Sequence, residues 1–241
     1  MKKLILLALA CMTFCMAEAQ KRYSCRGQLE GGISFRLDLE QNKDGIVSGE
    51  TTYYRKNGKI SKIRCLGRYL KFDGGEEELS IREFDGKKHC GYFMLNVKNG
   101  KITGGEWSLI EKTLPIESLE QTIFPSGTTY FHPATGAGVK GEYNFLYDRG
   151  ADLDPCGGTC ILKYANGKVK YDFCTVTPNI AEDSGTATLN GSYFNAAHGA
   201  YRYRVYVDRD FCCVWYTGKG YVEVDDWGHN ASLEFIYVKK R

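Results

Sequence analysis

The stretch ISFRLDLE, from Ile33 to Glu40, alternates apolar and polar residues without a break. Successive side chains of a strand point to opposite faces, so this pattern predicts a strand that buries one face. Similar runs rich in Tyr, Val, Ile, Thr and Phe recur along the chain. Between them stand Asn-Gly pairs at 57, 99, 166 and 190 and Asp-Gly pairs at 44, 73 and 85. Because these dipeptides suit tight hairpin turns, we predict an all-β fold of antiparallel strands.

The predicted strands fall into two antiparallel β modules, each a meander that could be barrel-like or a sandwich. Residues 20–112 form the N-terminal module, with strands at 33–40, 46–55, 60–69, 78–84, 90–97 and 101–109. Residues 113–138 form a connecting segment with three of the five prolines, and a helical turn or two is expected near 116–121. Residues 139–241 form the C-terminal module, with strands near 141–147, 159–165, 168–176, 186–193, 201–207, 211–217, 219–225 and 232–238.

The N-terminal residues 1–19 have the pattern of a signal peptide. Lys2 and Lys3 precede the apolar stretch Leu4–Met16, and the small residues Ala17 and Ala19 predict cleavage before Gln20. A lipoprotein with Cys11 at its N-terminus is the second interpretation. No later segment is apolar enough to span a bilayer. We therefore expect an exported protein, periplasmic or secreted.

The charges exclude a nucleic-acid partner. Without residues 1–19 the chain keeps 30 basic and 28 acidic residues, a net charge of +2. Both signs are interspersed, whereas nucleic-acid binding needs basic residues gathered on one face. The sequence contains no motif for a cofactor, and we expect none.

Eight of the ten cysteines remain after residues 1–19 are removed, and an even number in an exported chain predicts disulfides. We expect at least three bridges, including a local one between Cys156 and Cys160. Cys212 and Cys213 are adjacent in a strand and point to opposite faces, which predicts that they serve two different bridges. The predicted disulfide cysteines are Cys25, Cys65, Cys90, Cys156, Cys160, Cys174, Cys212 and Cys213.

Counting residues outward from three hairpin turns predicts three strand registers. With Asn166-Gly167 as the turn, Cys160 lies opposite Phe173 and Cys174 opposite Thr159, so these two cysteines point to opposite faces. With Asp85-Gly86 as the turn, Ile81 lies opposite Cys90 and Leu79 opposite Tyr92, and with Asn99-Gly100 as the turn, Tyr92 lies opposite Trp107. These two registers place a group of residues on one buried face of the N-terminal module: Leu79, Ile81, Cys90, Tyr92, Met94 and Trp107.

No catalytic or metal motif is present. His89, His132, His198 and His229 are scattered, and there is no Gly-x-Ser-x-Gly or His-Glu-x-x-His. A zinc or redox site at Cys156 and Cys160 and a calcium site in the loop with Asp148, Asp152 and Asp154 are weaker alternatives to a disulfide and to a solvated turn. Glu77 with Glu83, and Glu223 with Asp225, are interpreted as solvent-facing residues of strands. The sequence therefore favours a protein that is not an enzyme.

Tyrosine and arginine alternate in Tyr201–Val207. Tyr201, Tyr203, Val205 and Val207 are predicted to line a core. Arg202, Arg204 and Tyr206 would then form an exposed strip that binds a protein or a carbohydrate.

Several segments resemble exported bacterial β-domain proteins of unknown function: Gly49–Tyr54, Gly104–Trp107, Thr175–Glu182, Leu189–Tyr193 and Trp227–Lys240. Ser184-Gly185 and Trp215–Gly220 are similar to motifs of the periplasmic inhibitors of C-type lysozyme, although Thr188 stands where that motif has tyrosine. These resemblances imply export and a β fold.

The sequence predicts an exported binding or interaction module without enzymatic activity. The alternatives are a glycan or cell-wall hydrolase whose carboxylates converge only in the fold, and a lysozyme-inhibitor-like protein.

Overall fold

The computed structural model describes residues 20–86, 88–147, 156–177, 179–218, 224, 227 and 231–240. The predicted signal peptide, the loop with Asp148, Asp152 and Asp154, His229 and most of the predicted strand 219–225 lie outside these residues. Within them the fold is all-β, as predicted, with sixteen strands and a short 3₁₀ helix at Gly136–Val139. None of the described residues belongs to a helix with the length and apolarity needed to cross a bilayer.

The first eight strands form a closed antiparallel barrel in chain order. The bounds are β1 Lys21–Leu29, β2 Ile33–Gln41, β3 Ile46–Tyr54, β4 Ile60–Lys71, β5 Glu77–Asp85, β6 Lys88–Lys98, β7 Lys101–Leu109 and β8 Lys112–Gln121. Six of them match predicted strands, whereas β1 and β8 were not predicted. The helical turn expected near residues 116–121 is wrong, because this segment is the strand that pairs with β1 and closes the barrel.

The other eight strands form one antiparallel sheet in the order β12-β11-β10-β9-β16-β15-β14-β13. The bounds are β9 Gly141–Tyr147, β10 Cys156–Ala165, β11 Lys168–Val176, β12 Ile180–Thr188, β13 Tyr193–His198, β14 Tyr201–Val207, β15 Phe211–Tyr216 and β16 Ile236–Lys239. The single strand predicted at 186–193 is wrong, since β12 ends and β13 begins on either side of a turn. The domain boundaries proposed above stay a prediction.

The Asn166-Gly167 turn sets the one register that was predicted correctly. Asn166 has φ 50° and joins β10 to β11. Cys160 then pairs with Phe173 and Cys174 with Thr159, as predicted. Cys160 is fully buried and Cys174 is exposed, so the two point to opposite faces.

The registers predicted for β5–β6 and for β6–β7 are wrong. Trp107 pairs with Phe93 instead of Tyr92, because a bulge lies between Asn96 and Val97. Ile81 pairs with Phe93 instead of Cys90, because Asp85 pairs with Lys88 and a bulge follows between Glu83 and Phe84. The partner of Ile81 is thus shifted by three residues along β6, and an odd shift puts the side chains of β6 on the face opposite to the predicted one. Leu79 and Ile81 lie in the barrel core as predicted, but Cys90 and Tyr92 are only partly buried and Met94 is exposed.

The predicted disulfides are not supported, since all eight described cysteines are thiols in the structure. The Cys156–Cys160 bridge is wrong, because both residues lie on the continuous strand β10. Four residues of strand separate their Cα atoms by roughly 13 Å, and a disulfide spans less than about 7 Å.

The second sheet packs on the outer face of the barrel. Three barrel residues belong to the same apolar core as the second sheet: Ile46, Leu66 and Phe84. Three barrel arginines each lie over an aromatic ring of the sheet: Arg64 over Phe211, Arg68 over Trp215 and Arg82 over Tyr147, with 5.3, 5.3 and 4.1 Å to the ring centroids. Through these cation–π contacts, charged side chains on the outer face of the barrel pack against aromatic side chains of the second sheet.

Candidate functional site

A cleft of about 610 Å³ lies where the barrel and the second sheet meet. Clefts of this size between packed units are where small ligands bind most often. Its lining comes from β3, β4 and the β5–β6 turn of the barrel, from the second sheet, and from the segment that links them: Gly49, Glu50, Lys62, Arg64, Phe84, Asp85, Gly86, Tyr130, Asp210, Val238, Lys239 and Lys240.

The barrel wall of the cleft is built by alternation in β3 and β4. Thr51 is buried inside the barrel, so its neighbour Glu50 points outward, opposite Arg64. Lys62 donates from Nζ to Glu50 Oε1 over 2.7 Å, and this hydrogen bond raises the pKa of Lys62. Arg64 Nη1 lies 3.7 Å from Oδ2 of Asp210, which belongs to the second sheet. The cleft is therefore crossed by an ion pair between the two sheets.

The opposite wall is the end of β16. The Lys239 amide donates to the Asp210 carbonyl over 2.8 Å. Lys239 Nζ lies 5.2 Å from the centroid of the Tyr143 ring, and Lys240 Nζ lies 3.0 Å from Glu142 Oε1. Each cation in the lining is thus held by a partner within the protein, and the cleft has alternating rather than uniform charge.

Tyr130 brings an aromatic ring to the cleft from the segment after β8. Its amide donates to Oε2 of the fully buried Glu40 over 2.9 Å, and its carbonyl accepts from Ser48 Oγ over 2.9 Å. Arg22 pairs with the same carboxylate at 3.0 Å. Burial raises the pKa of the Tyr130 phenol, so the ring stays uncharged. The backbone of this segment is therefore anchored on the barrel, which positions the ring.

A second polar cluster lies at the seam between β12 and β13, the two edges of the second sheet. His198 Nδ1 lies 3.1 Å from Asp183 Oδ1, and Tyr203 donates its hydroxyl to Asp183 Oδ2. The Trp227 ring lies 5.1 Å from the His198 ring and donates to the Glu182 carbonyl over 2.9 Å. A recess of about 350 Å³ opens beside this cluster.

The barrel interior holds a third cluster around Glu83. Tyr53 and Trp107 donate to its carboxylate over 2.9 and 2.8 Å, and Thr51 hydrogen-bonds it as well. Burial raises the pKa of Glu83, and the three hydrogen bonds oppose that shift. Glu83 is only 1% exposed, so the interpretation of this residue as solvent-facing is wrong. Glu83 points inward because it lies on the same face of β5 as the buried Leu79 and Ile81.

The predicted binding strip is not an exposed surface along its whole length. Tyr206 is 2% exposed, since Phe131 and Phe211 cover its ring and its hydroxyl donates to Asp208. Arg202 is exposed, and Arg204 lies 3.9 Å from Asp44 of the barrel. The core line predicted from the same strand is confirmed: Tyr201, Tyr203, Val205 and Val207 are all buried. Ligand binding by Arg202 and Arg204 stays a prediction.

The residues of the cleft were not predicted as a site. The sequence around Glu50, Lys62 and Arg64 alternates as it does on any solvent-exposed strand face. Lys239 and Lys240 belong to a basic run near the end of the given sequence. No local motif contains the cleft residues, because β4 and β16 are far apart in the chain. Among the described residues no group of three His, Cys, Asp or Glu side chains could hold a metal ion.

No model of a known protein family and no curated protein matches the chain. Similar solved structures include a DUF3598-family protein of unknown function from Nostoc punctiforme, with 16% identity, a TM-score of 0.27 and coverage of 80% of this chain and 77% of that one.

Two further structures are MucB in complex with MucA(peri) and the MucA/MucB complex of Pseudomonas aeruginosa. Each has 11% identity, a TM-score of 0.20 and coverage of 78% of this chain and 82% of that one. TM-scores this low carry no argument about fold or function. The resemblance to the lysozyme inhibitors is not shown by these comparisons and stays a prediction.

Proposed function

We propose that this protein is a non-enzymatic binding module that holds a segment of an uncharged glycan in the cleft between the barrel and the second sheet. The observation that carries the proposal is the charge arrangement of the cleft. Its lining offers charged donors and acceptors side by side, and they are already paired with one another.

The pairing selects a neutral, hydroxyl-rich ligand. An anionic ligand would compete with Glu50 for Lys62 and with Asp210 for Arg64, and a cationic ligand would compete for the same carboxylates. A sugar hydroxyl both donates and accepts, so it can bond to a lysine and a carboxylate without separating them. Hydrogen bonds to charged groups are the stronger kind. The Tyr130 ring supplies an apolar face beside these groups.

Several carboxyl pKa values favour binding over glycan hydrolysis. A glycosidase needs a general acid whose pKa is raised, near a second carboxylate. Among the described residues the carboxyl pKa is raised by burial at Glu78, Glu83 and Asp208. None of the three lines the cleft. In this proposal the cleft binds the glycan and does not hydrolyse it.

Export supports this function, because an exported protein meets cell-surface glycans. The signal peptide predicted at residues 1–19 motivates this part of the proposal. N-terminal sequencing of the protein recovered from outside the cytoplasm should begin at Gln20, and an intact Met1 in that fraction would contradict it.

The test is calorimetric titration of the mature protein with tetrasaccharides of N-acetylglucosamine and of glucose. We expect binding to one of them, weakened about tenfold or more by Tyr130→Ala and by Lys62→Ala. Lys163→Ala is the matched control, because this lysine is exposed on the outer face of β10. Absence of binding, or equal binding by Tyr130→Ala, contradicts the proposal. Release of reducing sugar would replace it with the hydrolase alternative.

A further inference from the structure

A buried histidine lies where the barrel meets the second sheet. His89, near the start of β6, is only 8% exposed. It pairs with Phe84 across the β5–β6 ladder, so both side chains lie on the outer face of the barrel. Phe84 belongs to the apolar core of the second sheet. His89 is therefore enclosed in the contact between the two sheets.

Aromatic rings surround the His89 imidazole. The Phe84 ring and the Tyr147 ring of β9 stand edge-on to it, with 6.2 and 5.2 Å between centroids. Neither Nδ1 nor Nε2 of His89 has a hydrogen-bond partner among the described residues. Burying a polar group without a partner costs free energy, and burying an unpaired charge costs far more. The interface therefore accepts this ring only while it is uncharged.

Arg82 makes a charged imidazole still less favourable. Its guanidinium lies 4.1 Å from the centroid of the Tyr147 ring, so one positive charge is already present beside His89. Burial and, as a smaller effect, the charge of Arg82 lower the pKa of His89 to about 4, while the Gly91 backbone opposes the shift. Burial raises the pKa of the Tyr147 phenol to about 12, so Tyr147 stays neutral and supplies no counter-charge.

The strands around His89 provide no carboxylate that faces it. The described charged and titratable groups nearest to it in the strand ladders are Arg82, Glu83 and Asp85 on β5, Lys88 and Cys90 on β6, Tyr147 on β9 and Cys156 on β10. Glu83 points into the barrel, and Asp85 is exposed at the turn, where it pairs with Lys88. A proton on His89 would therefore add a second cation without an anion to balance it.

We propose that His89 makes the contact between the barrel and the second sheet sensitive to pH, so that acidification separates β9 from β6. A protonated imidazole has two N–H donors, and the buried interface gives them no acceptor. Separation of the two strands lets water hydrate both donors. The proposal does not depend on glycan binding in the cleft.

The pH window follows from the direction of the pKa shift. A hydrated imidazole takes up its proton near pH 6.5, whereas the buried one does so only near pH 4. The separated state therefore binds the proton first as the pH falls. The contact is strongest above pH 6.5, weakens as the pH falls to about 4, and loses nothing more from His89 below that.

The test is an NMR titration of the protein between about pH 8 and pH 4 that follows the histidine rings and their contacts with other aromatic rings. We expect one imidazole to contact Phe84 and Tyr147 at neutral pH and to lose the contact with Tyr147 as it is protonated below about pH 6. The Phe35–Phe93 contact inside the barrel, with 5.5 Å between centroids, is the internal control and should persist.

Two variants separate the effect of His89 from that of other groups. His89→Phe keeps a ring of similar shape that takes up no proton, whereas His132→Gln changes an exposed histidine. Between pH 7 and about pH 4.5, the unfolding equilibrium constant from urea titrations should rise about tenfold or more in excess of its rise in His89→Phe. His132→Gln should behave like the unmodified protein.

Three results overturn the proposal. The first is a contact between His89 and Tyr147 that persists at pH 4, and the second is its loss together with the Phe35–Phe93 contact, which would indicate global unfolding. The third is an equal pH dependence of the unmodified protein and His89→Phe. Should His89→Phe fail to fold, the NMR titration of the unmodified protein decides alone.

Discussion

The barrel and the second sheet each have eight strands, but their first and last strands are joined in different ways. In the barrel, β1 pairs with both β2 and β8, so backbone hydrogen bonds run around the whole circumference. In the second sheet β12 and β13 are the two edges, and the Asp183 carboxylate crosses between them to His198 and Tyr203. One unit is closed by its backbone and the other by side chains, so single substitutions should affect the second closure far more than the first.

Their cores differ as well. The barrel buries a carboxylate, Glu83 of β5, whose acceptors are satisfied by donors from β3 and β7 across the barrel interior. The second sheet fills its core with aromatic rings, among them a stack of Phe145 on Phe235 at 4.3 Å between centroids. A buried polar network is stable only if every member is satisfied, whereas stacked rings tolerate small shifts. The barrel should therefore be the less tolerant of substitution inside its core.

The largest effect is expected from Glu83→Ala in the barrel. The substitution leaves the Tyr53 hydroxyl and the Trp107 Nε1 group without their acceptor and opens a cavity, which together cost about 4 kcal/mol of unfolding free energy. Glu83→Gln keeps an acceptor of the same shape and should cost about 1 kcal/mol. Urea unfolding of both variants checks this. Equal losses would show that the network does not hold the barrel core together.

The closeness of neighbouring strands in the two sheets can be compared at one glycine of each. A Cβ on Gly67 in β4 would lie 2.0 Å from the Ser80 carbonyl oxygen, whereas one on Gly157 in β10 would lie 3.5 Å from the Phe145 carbonyl oxygen. Gly67→Ala must push β4 and β5 apart and should cost about 3 kcal/mol. Gly157→Ala should change stability by less than about 0.5 kcal/mol. Thermal unfolding monitored by circular dichroism gives both values, and a harmless Gly67→Ala would contradict the close approach.

The smallest effect concerns the seam. Tyr203→Phe removes one hydrogen bond to Asp183, and Tyr23→Phe removes the 2.7 Å bond from Tyr23 to Gln41 in the barrel. Each should cost about 1 kcal/mol. Only Tyr203→Phe should speed amide hydrogen exchange along both strands of its seam, because β12 and β13 share no ladder. Equal exchange at the seam in both variants would mean that side chains do not close the second sheet.

Local patterns predicted much of the fold. Asn-Gly turns and alternation located β3, β4, β7, β11 and β14 within a few residues, because a hairpin depends on its own turn and on neighbouring side chains. β1 and β8 were missed, since β8 contains Pro115 and lacks clean alternation. Their pairing joins opposite ends of the barrel sequence, which no local pattern reports.

The sites were predicted less well for the same reason. Arg204 was expected on a ligand surface and lies beside Asp44 of the barrel, while the expected partner Tyr206 is buried under Phe131. The strand face was correct in each case. Phe131 and Asp44, which contact Tyr206 and Arg204 on that face, are more than sixty positions away in the chain. Burial by a distant segment is not encoded in the alternation of the strand itself.

The amino-acid sequence by itself determined that the chain is all-β, where most of its strands lie and which side of β10, β11 and β14 is buried. Turn chemistry and period-two alternation act between neighbours, so they can be recognised without a fold. The tertiary structure alone decided the closure of the barrel, the hydrogen bonds of Tyr53 and Trp107 to Glu83 inside it, and the charged cleft. Each of these depends on how far a strand bulges or a sheet curls, and therefore on contacts between residues distant in the chain.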